Sequence, residues 1–553
     1  MTTKSNRALK TLILTDSDTK ARTMRRLIGR QYTIESTTGF LRDLPKTQIG
    51  IDPDNNFELK VITVRGKAQL LKQLQKETFD ALRIYLATEP DYEGEAFAAH
   101  YCELFGVNPE SKCRVELRAM TKDALRQAIK NARPIDKCMV EAYWTRRLVN
   151  RFTSFNLNPY LWCAVWQGLS LNNMQLLVLR LLCRAEEHFE PRDLDKPETM
   201  PIDLKSLQLW AARDLKFSAG RMVLLARELY EGVSLGRNFS GVISYIKDEP
   251  IEPLGESPDE LEPFLNANQL KVYRAIWERK IPFASEYQLP EKPTDLSLML
   301  ELERLGVNWA DMYSASINTL IKNGFVERTE QGYASTDIGR EVLSKTDAFF
   351  ADTLNVKFFV ELEEKLRAVA KGELTRLEVL KHFYAPFGAA LSKAMKSLGD
   401  NPKPKDPPIV ESDQICEKCG RRMVIKRGRY GKFLACPGYP ECKNTMPYFK
   451  YLDDHCPKCG GRLVMRFLTK SRTFYGCEHY PECGFGTWDV PQDKKCSACG
   501  SVMLLHRFKG RQAMLYCSNE KCPTRVDHPI NRILEKARLQ IEERKRKKSD
   551  ANE

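Results

Sequence analysis

The sequence predicts a multidomain chain: an α/β unit at the N-terminus, a mainly helical body, and three small metal-stapled modules at the end. Three observations carry this. Residues 11–100 alternate short apolar strands with helices. From about 120 to 395 the apolar residues recur at helical spacing. Twelve of the 17 cysteines fall in three blocks that open at Cys416, Cys456 and Cys496, steps of 40 residues.

Thr11-Leu12-Ile13-Leu14-Thr15 reads as a short buried strand, Lys20 to Arg30 as a basic helix, Ala81 to Ala87 as the site of a second apolar strand and Gly94 to Phe105 as a helix. Strands alternating with helices predict a mainly parallel sheet. In the body, Leu171 to Leu182 and Ala219 to Tyr230 read as helices, and Asp248 to Asn266 and Ser285 to Asp295 as Pro- and Glu-rich loops. The predicted boundaries are 1–140 for the α/β unit, 141–400 for the helical body and 401–412 for a proline-stiffened linker. The modules follow at 413–450, 451–491 and 492–530, and 531–553 forms a basic tail on a helix.

Each module reads C-x2-C, then 16 or 17 residues, then C-x5-C, or C-x4-C in the third. The quartets are Cys416, Cys419, Cys436 and Cys442; Cys456, Cys459, Cys477 and Cys483; Cys496, Cys499, Cys517 and Cys522. Four thiolates close a tetrahedral Zn²⁺ site with no open position, so the zinc is expected to be structural. Cys102, Cys113, Cys138, Cys163 and Cys183 are scattered, as expected of reduced thiols.

The formal net charge is +14. Each four-thiolate zinc site carries −2, so the loaded chain falls to about +8, still basic enough to suggest a polyanionic partner. No apolar run approaches the ~20 residues needed to cross a bilayer. No apolar signal core follows Met1, and the expected compartment is the cytoplasm, in association with the nucleoid. Aromatics and cations interleave through the ribbons: Lys426, Arg427, Arg429, Tyr430, Lys432, Phe433 and Tyr439, then Arg466, Phe467, Lys470, Arg472, Phe474, Tyr475 and Tyr480, then Arg507, Phe508, Lys509, Arg511 and Tyr516. Bases stack on such rings while cations follow the phosphates, which predicts binding to single-stranded DNA.

Carboxylates gather at predicted strand ends: Asp16 after the first strand, and Glu89, Asp91 and Glu93 after the second. Ligands collect at the carboxyl ends of strands in open α/β sheets, and a hard cation such as Mg²⁺ relieves the repulsion of converging carboxylates. A solvated acidic turn is the plainer alternative at this stage.

The wording around these residues resembles a known family. Leu86-Ala87-Thr88-Glu89-Pro90-Asp91-Tyr92-Glu93-Gly94-Glu95-Ala96 is similar to the metal-binding motif of the Toprim domain of type IA DNA topoisomerases. Gly39 to Pro45, Asp16-Ser17-Asp18-Thr19-Lys20, Arg146 to Arg151, Gly168 to Gln175 and Phe217 to Gly232 resemble further motifs, in the family's order. Ile243-Ser244-Tyr245-Ile246-Lys247 falls where the family keeps its catalytic tyrosine.

The resemblance implies ATP-independent cleavage and rejoining of one DNA strand through a 5′-phosphotyrosine, relaxing negatively supercoiled DNA. Tyr245 would be the nucleophile, in a region near 205–270. Lys20 and Lys247 would stabilise the phosphate or protonate the leaving oxygen, and Asp16 would manage the proton at the 3′-oxygen. Glu89, Asp91 and Glu93 would hold catalytic Mg²⁺. Arg42, Arg147, Arg151, Gln175 and Arg221 would contact DNA.

Several positions depart from the family pattern. Glu89 stands where the family has Asp, Tyr92 and Lys247 where it has Arg, Phe40 where it has His, and Asn173 where it has Arg. Asp248 brings a negative charge close to the nucleophile, Asn308-Trp309-Ala310-Asp311 replaces Gly-Arg-Pro-Ser, and a His-Glu-Ala-Ile-Arg-Pro box is absent. A second reading follows from these: a catalytically weakened relative that holds single-stranded DNA for partner proteins.

Overall fold

The computed structural model describes residues 11–187, 202–236, 238–247, 250–279, 292–428, 431–468, 472–506, 513–526 and 528–531. Contacts divide the chain into two units, Met1–Pro407 and Pro408–Glu553.

The first unit opens with β1 (Thr11–Thr15), α1 (Asp18–Ile28), β2 (Thr33–Ser36), the two-residue strands β3 (Arg42–Asp43), β4 (Ile51–Asp52), β5 (Glu58–Leu59) and β6 (Ile62–Thr63), α2 (Ala68–Phe79), β7 (Arg83–Thr88), α3 (Tyr92–Phe105) and β8 (Arg114–Glu116). The predicted parallel sheet is present, in the order β2-β1-β7-β8 with every pairing parallel. Its first strand runs TLILT, with Leu12, Ile13 and Leu14 almost fully buried, as a strand covered on both faces requires. The expected helices start earlier than drawn. Ser17 caps α1 by accepting the Thr19 N–H, and Asp91 caps α3 by accepting the Gly94 N–H at 2.7 Å.

The body is helical: α4 (Lys122–Lys130), α5 (Lys137–Ala164), α6 (Asn173–Glu187), α7 (Leu204–Arg213), α8 (Ala219–Glu231), α9 (Pro258–Leu261), α10 (Ala267–Trp277), α11 (Asp295–Arg304), α12 (Tyr313–Asn323), α13 (Asp337–Phe350), α14 (Val356–Ala370) and α15 (Arg376–Ser397). Two short hairpins interrupt it, Val233–Leu235 with Asn238–Ser240 and Val326–Arg328 with Tyr333–Ser335. The segment expected to be a loop from Asp248 to Asn266 contains α9, which Ser257 and Glu260 close with a reciprocal capping box. Of the second expected loop, 285–291 lies outside the described residues, as do Asp248 and the basic tail beyond 531. One core cluster runs from Ile13 in the sheet through α5, α6, α8, α12 and α15. Among the described residues no helix is long and apolar enough to cross a membrane.

The segment expected to be a plain linker is stitched to the body at Lys405. Its N–H donates to the Trp162 carbonyl at 2.9 Å, its Nζ donates to the Ala164 carbonyl at 2.8 Å, and its own carbonyl accepts the Gln167 N–H at 2.8 Å.

The second unit holds three small antiparallel sheets, one per cysteine block. The first is built on Arg422–Gly428 and Gly431–Ala435, the second on Arg462–Leu468 and Arg472–Cys477, and the third on Val502–His506 and Met514–Cys517. Their apolar cores are very small. The first comprises Cys416, Met423, Leu434 and Cys436. A core of that size does not hold a sheet together without a staple.

Candidate active site and zinc centres

The loop between β7 and α3 carries the acidic motif. At Gly94 a Cβ would sit 2.0 Å from the Glu89 carbonyl oxygen, so only glycine lets the first turn of α3 pack on that loop. A buried guanidinium braces the loop from below. Arg114 donates to the carbonyl of Thr88 at 3.0 Å, to that of Glu89 at 2.6 Å, and to the Glu95 carboxylate at 2.8 Å. Glu95, also fully buried, accepts two bonds from Arg133 at 2.9 Å and the Asp136 N–H at 2.6 Å. Burial alone would raise the Glu95 carboxyl, but Arg133, Arg114 and the Asp136 N–H hold it below the usual range.

The segment bearing Tyr245 docks on the edge of this unit. Ser244 makes an antiparallel bridge with Ala119, and the Tyr245 N–H donates to the Arg118 carbonyl at 2.8 Å. Gly241 donates to the Met120 carbonyl at 2.9 Å, and a Cβ there would meet the Tyr230 carbonyl at 2.4 Å. Tyr230 stacks edge-on against Tyr245 at 5.5 Å and bonds the Leu117 carbonyl.

Seven of the residues singled out in the sequence converge here. The Tyr245 hydroxyl donates to Asp91 Oδ2 at 2.7 Å, and Lys247 Nζ reaches the same oxygen at 3.1 Å. Lys20 bridges Asp16 at 3.1 Å and Glu89 at 2.9 Å. Burial, Asp91 and Glu89 push the Tyr245 phenol far above its usual range, so the hydroxyl keeps its proton at rest. Burial lowers Lys247, but Asp91, Asp311, Glu89 and Glu93 outweigh it and raise the ammonium. Asp91 is held down: Lys247, the Tyr245 hydroxyl and the Gly94 N–H overcome its burial. Glu93 goes the other way, raised by burial and by Asp91, Glu89 and Asp16 despite Lys247. A cleft of about 300 Å³ opens beside these groups, lined by Asp91, Glu93, Arg147, Lys247 and Asp311. A second cleft, of about 610 Å³, borders Asp91, Tyr92, Arg146, Lys205 and Arg367.

The residues expected to contact DNA are not brought together in the same way. Arg147 is paired with Asp43 and lies over the rings of Phe40 and Trp144 at 5.3 and 5.2 Å. Arg151 bonds the carbonyls of Pro45, Gln48 (2.6 Å) and Ile49 (2.9 Å). Both guanidiniums thus fasten the 43–49 loop to α5. Arg42 bonds the Val61 carbonyl at 3.3 Å. Gln175 is buried and accepts the Asn172 N–H at 2.9 Å at the start of α6. Arg221 is exposed and stacks on Phe217 at 4.1 Å.

Three partners of the site were not found in the sequence: Arg114, Glu95 in its bracing role, and Asp311, which lies 3.9 Å from Lys247. An arginine inside the apolar run Cys113-Arg114-Val115 was the one signal, since a buried cation implies a buried anion. Asp311 stood out only as the end of the stretch that replaces Gly-Arg-Pro-Ser, with nothing to tie it to Lys247.

Each cysteine quartet gathers its four sulfurs within 4.8 Å of one another. Sulfur pairs lie at 3.3–3.7 Å, as in Cys419–Cys436 at 3.3 Å and Cys496–Cys522 at 3.7 Å. Zn–S bonds of about 2.3 Å in a tetrahedron put sulfurs about 3.8 Å apart, so the quartets fit Zn²⁺. Polar side chains back them: Asn444 at 3.4 Å from Cys416, His479 at 3.8 Å from Cys459 and Thr524 at 3.3 Å from Cys496. The chain therefore has three four-cysteine zinc-binding sites of structural type. Among the described residues the quartets are the groups gathered this tightly; the carboxylates of the α/β unit are drawn to Lys20 and Lys247 instead.

The ribbon aromatics divide. Tyr475 and Tyr516 are core residues, while Tyr439 is 68% and Tyr480 38% exposed. Phe474 packs on Tyr480 at 5.5 Å and on Trp488 at 5.1 Å, and Trp488, 55% exposed, had not been singled out. Arg429, Tyr430, Lys470, Arg507, Phe508, Lys509 and Arg511 lie outside the described residues.

Comparison with known proteins adds to this geometry. The Toprim domain family matches residues 11–120. The topoisomerase DNA binding C4 zinc finger family matches residues 413–450 and 453–492. The fold is similar to that of full-length topoisomerase I from Thermotoga maritima, with a TM-score of 0.62 and 23% identity, over 79% of this chain and 97% of that one. The chain thus carries a Toprim domain and C4 zinc fingers of the topoisomerase DNA-binding type, and its fold is similar to that of a bacterial topoisomerase I.

Proposed function

We propose that the chain is a DNA topoisomerase that cleaves and reseals one strand through a 5′-phosphotyrosine on Tyr245, without ATP, and so relaxes negatively supercoiled DNA in the cytoplasm. The observation that carries this reading is the Tyr245 hydroxyl at 2.7 Å from Asp91, with Lys247 on the same carboxylate oxygen. Its phenol stays protonated at rest, so deprotonation accompanies attack: the proton moves along the existing hydrogen bond to Asp91 as the oxygen–phosphorus bond forms. Lys247 is positioned to turn toward the phosphate, and Lys20, held beside Asp16, to supply the proton that the departing 3′-oxygen needs. The freed 3′-hydroxyl reverses the path.

The donor set of Glu89, Asp91 and Glu93 fits Mg²⁺. Glu93 is a carboxyl pushed upward by burial and by its neighbouring carboxylates, which is the situation a hard cation relieves. When bound, the ion would neutralise phosphate charge for resealing. The exposed rings of Tyr480 and Trp488, packed on the half-buried Phe474, together with Tyr439, offer stacking faces for single-stranded DNA. Mixing the protein with labelled single-stranded DNA and Mg²⁺, then denaturing it, tests the reading. A covalent adduct that disappears in Tyr245→Phe supports it, and bound DNA with no adduct in the wild type overturns it.

The second reading, a strand-holding accessory protein, is favoured by one observation. Lys247 is shared between Asp91 and Asp311, and Arg147 and Arg151 are spent on the 43–49 loop, so these three cations are engaged with the protein itself and not turned toward a scissile phosphate.

A further inference from the structure

Five cysteines stand outside the zinc quartets. Cys138, Cys163 and Cys183 have no second thiol within hydrogen-bonding distance among the described residues. Cys102 and Cys113 differ. Their sulfurs lie 3.9 Å apart, both side chains are buried, and eleven positions separate them in the chain. Cys102 sits in the last turn of α3 and Cys113 directly precedes β8. Both are held by backbone bonds. The Cys102 carbonyl accepts the Val107 N–H at 3.1 Å, and the Cys113 carbonyl accepts the Leu86 N–H at 2.8 Å from the central strand β7. The loop 106–112 joining them is largely at the surface.

We propose that Cys102 and Cys113 form a redox-modifiable dithiol that closes reversibly to a disulfide, tying the C-terminal end of α3 to the start of β8. An S–S bond of about 2.05 Å requires the sulfurs to approach by roughly 2 Å, shared between two side chains. The pair is chemically unequal, as a nucleophile and its resolving partner are. The contact between the two sulfurs lowers the Cys113 thiol and raises that of Cys102. The Cys113 thiolate attacks one sulfur of a small-molecule disulfide and expels a thiolate. Cys102, losing its proton, then attacks the Cys113 sulfur of the mixed disulfide and expels the second thiolate. Two protein thiols are oxidised, one small disulfide is reduced, and the two protons end on the two released thiols. The residue after Cys113 is Arg114, which braces the Thr88 and Glu89 carbonyls, so the reacting sulfur lies one residue from the support of the acidic loop.

The test uses the full-length, zinc-loaded wild type, treated with 2-hydroxyethyl disulfide, quenched with N-ethylmaleimide and digested without reduction. A peptide linking Cys102 to Cys113, lighter by two hydrogens than its reduced parts and lost on dithiothreitol treatment, is expected. Its formation rate should rise with pH, because the attacking species is the thiolate. In Cys102→Ala the reaction should stop at a mixed disulfide on Cys113. Cys102 and Cys113 recovered separately from the wild type, either maleimide-blocked or as lasting mixed disulfides, would overturn the proposal. That readout needs no variant to fold.

Discussion

Tyr245→Phe removes a single oxygen and keeps the ring, so its two effects can be sized separately. The residue is 2% exposed, and its stacking on Tyr230 at 5.5 Å survives the change. What is lost is a 2.7 Å hydrogen bond to an ionised carboxylate. Bonds to charged groups contribute about 1.5–3 kcal/mol. Asp91 keeps Lys247 at 3.1 Å and the Gly94 N–H at 2.7 Å, so it is not left as an unpaired buried charge and the larger penalty of about 3–5 kcal/mol does not apply. The expected loss of stability is therefore about 2 kcal/mol, measured by denaturant unfolding at pH 7. Without the phenol, Asp91 loses one of the groups that hold it below the usual carboxylate range, so its carboxyl moves upward. In the labelled single-strand assay the variant should retard DNA as the wild type does and yield no adduct. A persistent adduct would move the nucleophile elsewhere. Unchanged stability would mean that the bond to Asp91 is not formed in solution.

Arg114→Met should cost about 3–5 kcal/mol, because it strips Glu95 of one buried partner and frees the Thr88 and Glu89 carbonyls; a loss under 1 kcal/mol by denaturant unfolding would argue against the bracing role. His100 is held at about 4 by burial and by Arg42 and Arg147, against 6.5 when unfolded. The unfolded chain therefore takes up a proton that the folded one refuses. Stability is full above pH 6.5 and falls by about 3 kcal/mol as the pH drops to 4, a slope that His100→Gln should flatten. Metal analysis should find three zinc ions per chain, and stripping them with a mercurial should unfold the ribbons while the body's helical circular dichroism persists. Arg221→Ala should leave stability unchanged and reduce the salt dependence of single-strand binding by a slope of about 0.7. Arg151→Ala should instead weaken the fold, because it frees the carbonyls of Pro45, Gln48 and Ile49.

Much of the architecture was legible locally. The TLILT strand was read from its apolar run, while the capping Ser17 and Asp91 and the glycine after Glu93, which also act within a few residues through side-chain-to-backbone bonds and the lack of a Cβ, were not, so both helices begin earlier than expected. The family resemblance singled out Tyr245 and its lysines; the residues alone would have suggested a core tyrosine among isoleucines. Residue type was a weaker guide to availability. Arg147 and Arg151 look like phosphate ligands in a motif, yet their guanidiniums are occupied by Asp43 and by backbone carbonyls more than 100 positions away. Lys405 looked like part of a proline-stiffened linker, and it is bonded to the end of α5.

Cysteine spacing by itself determined the three zinc sites, because C-x2-C and its returning pair set the reach of the thiols through covalent geometry over short loops. The alternation of apolar strands and helices determined the parallel character of the N-terminal sheet too. Only the tertiary structure decided that Tyr245 meets Asp91 across 154 positions, that Arg114 braces the acidic loop and that Cys102 faces Cys113. Such meetings depend on how whole helices and strands pack. The free energy of that packing is spread over a core running from Ile13 to Ala394 and is carried by no single motif.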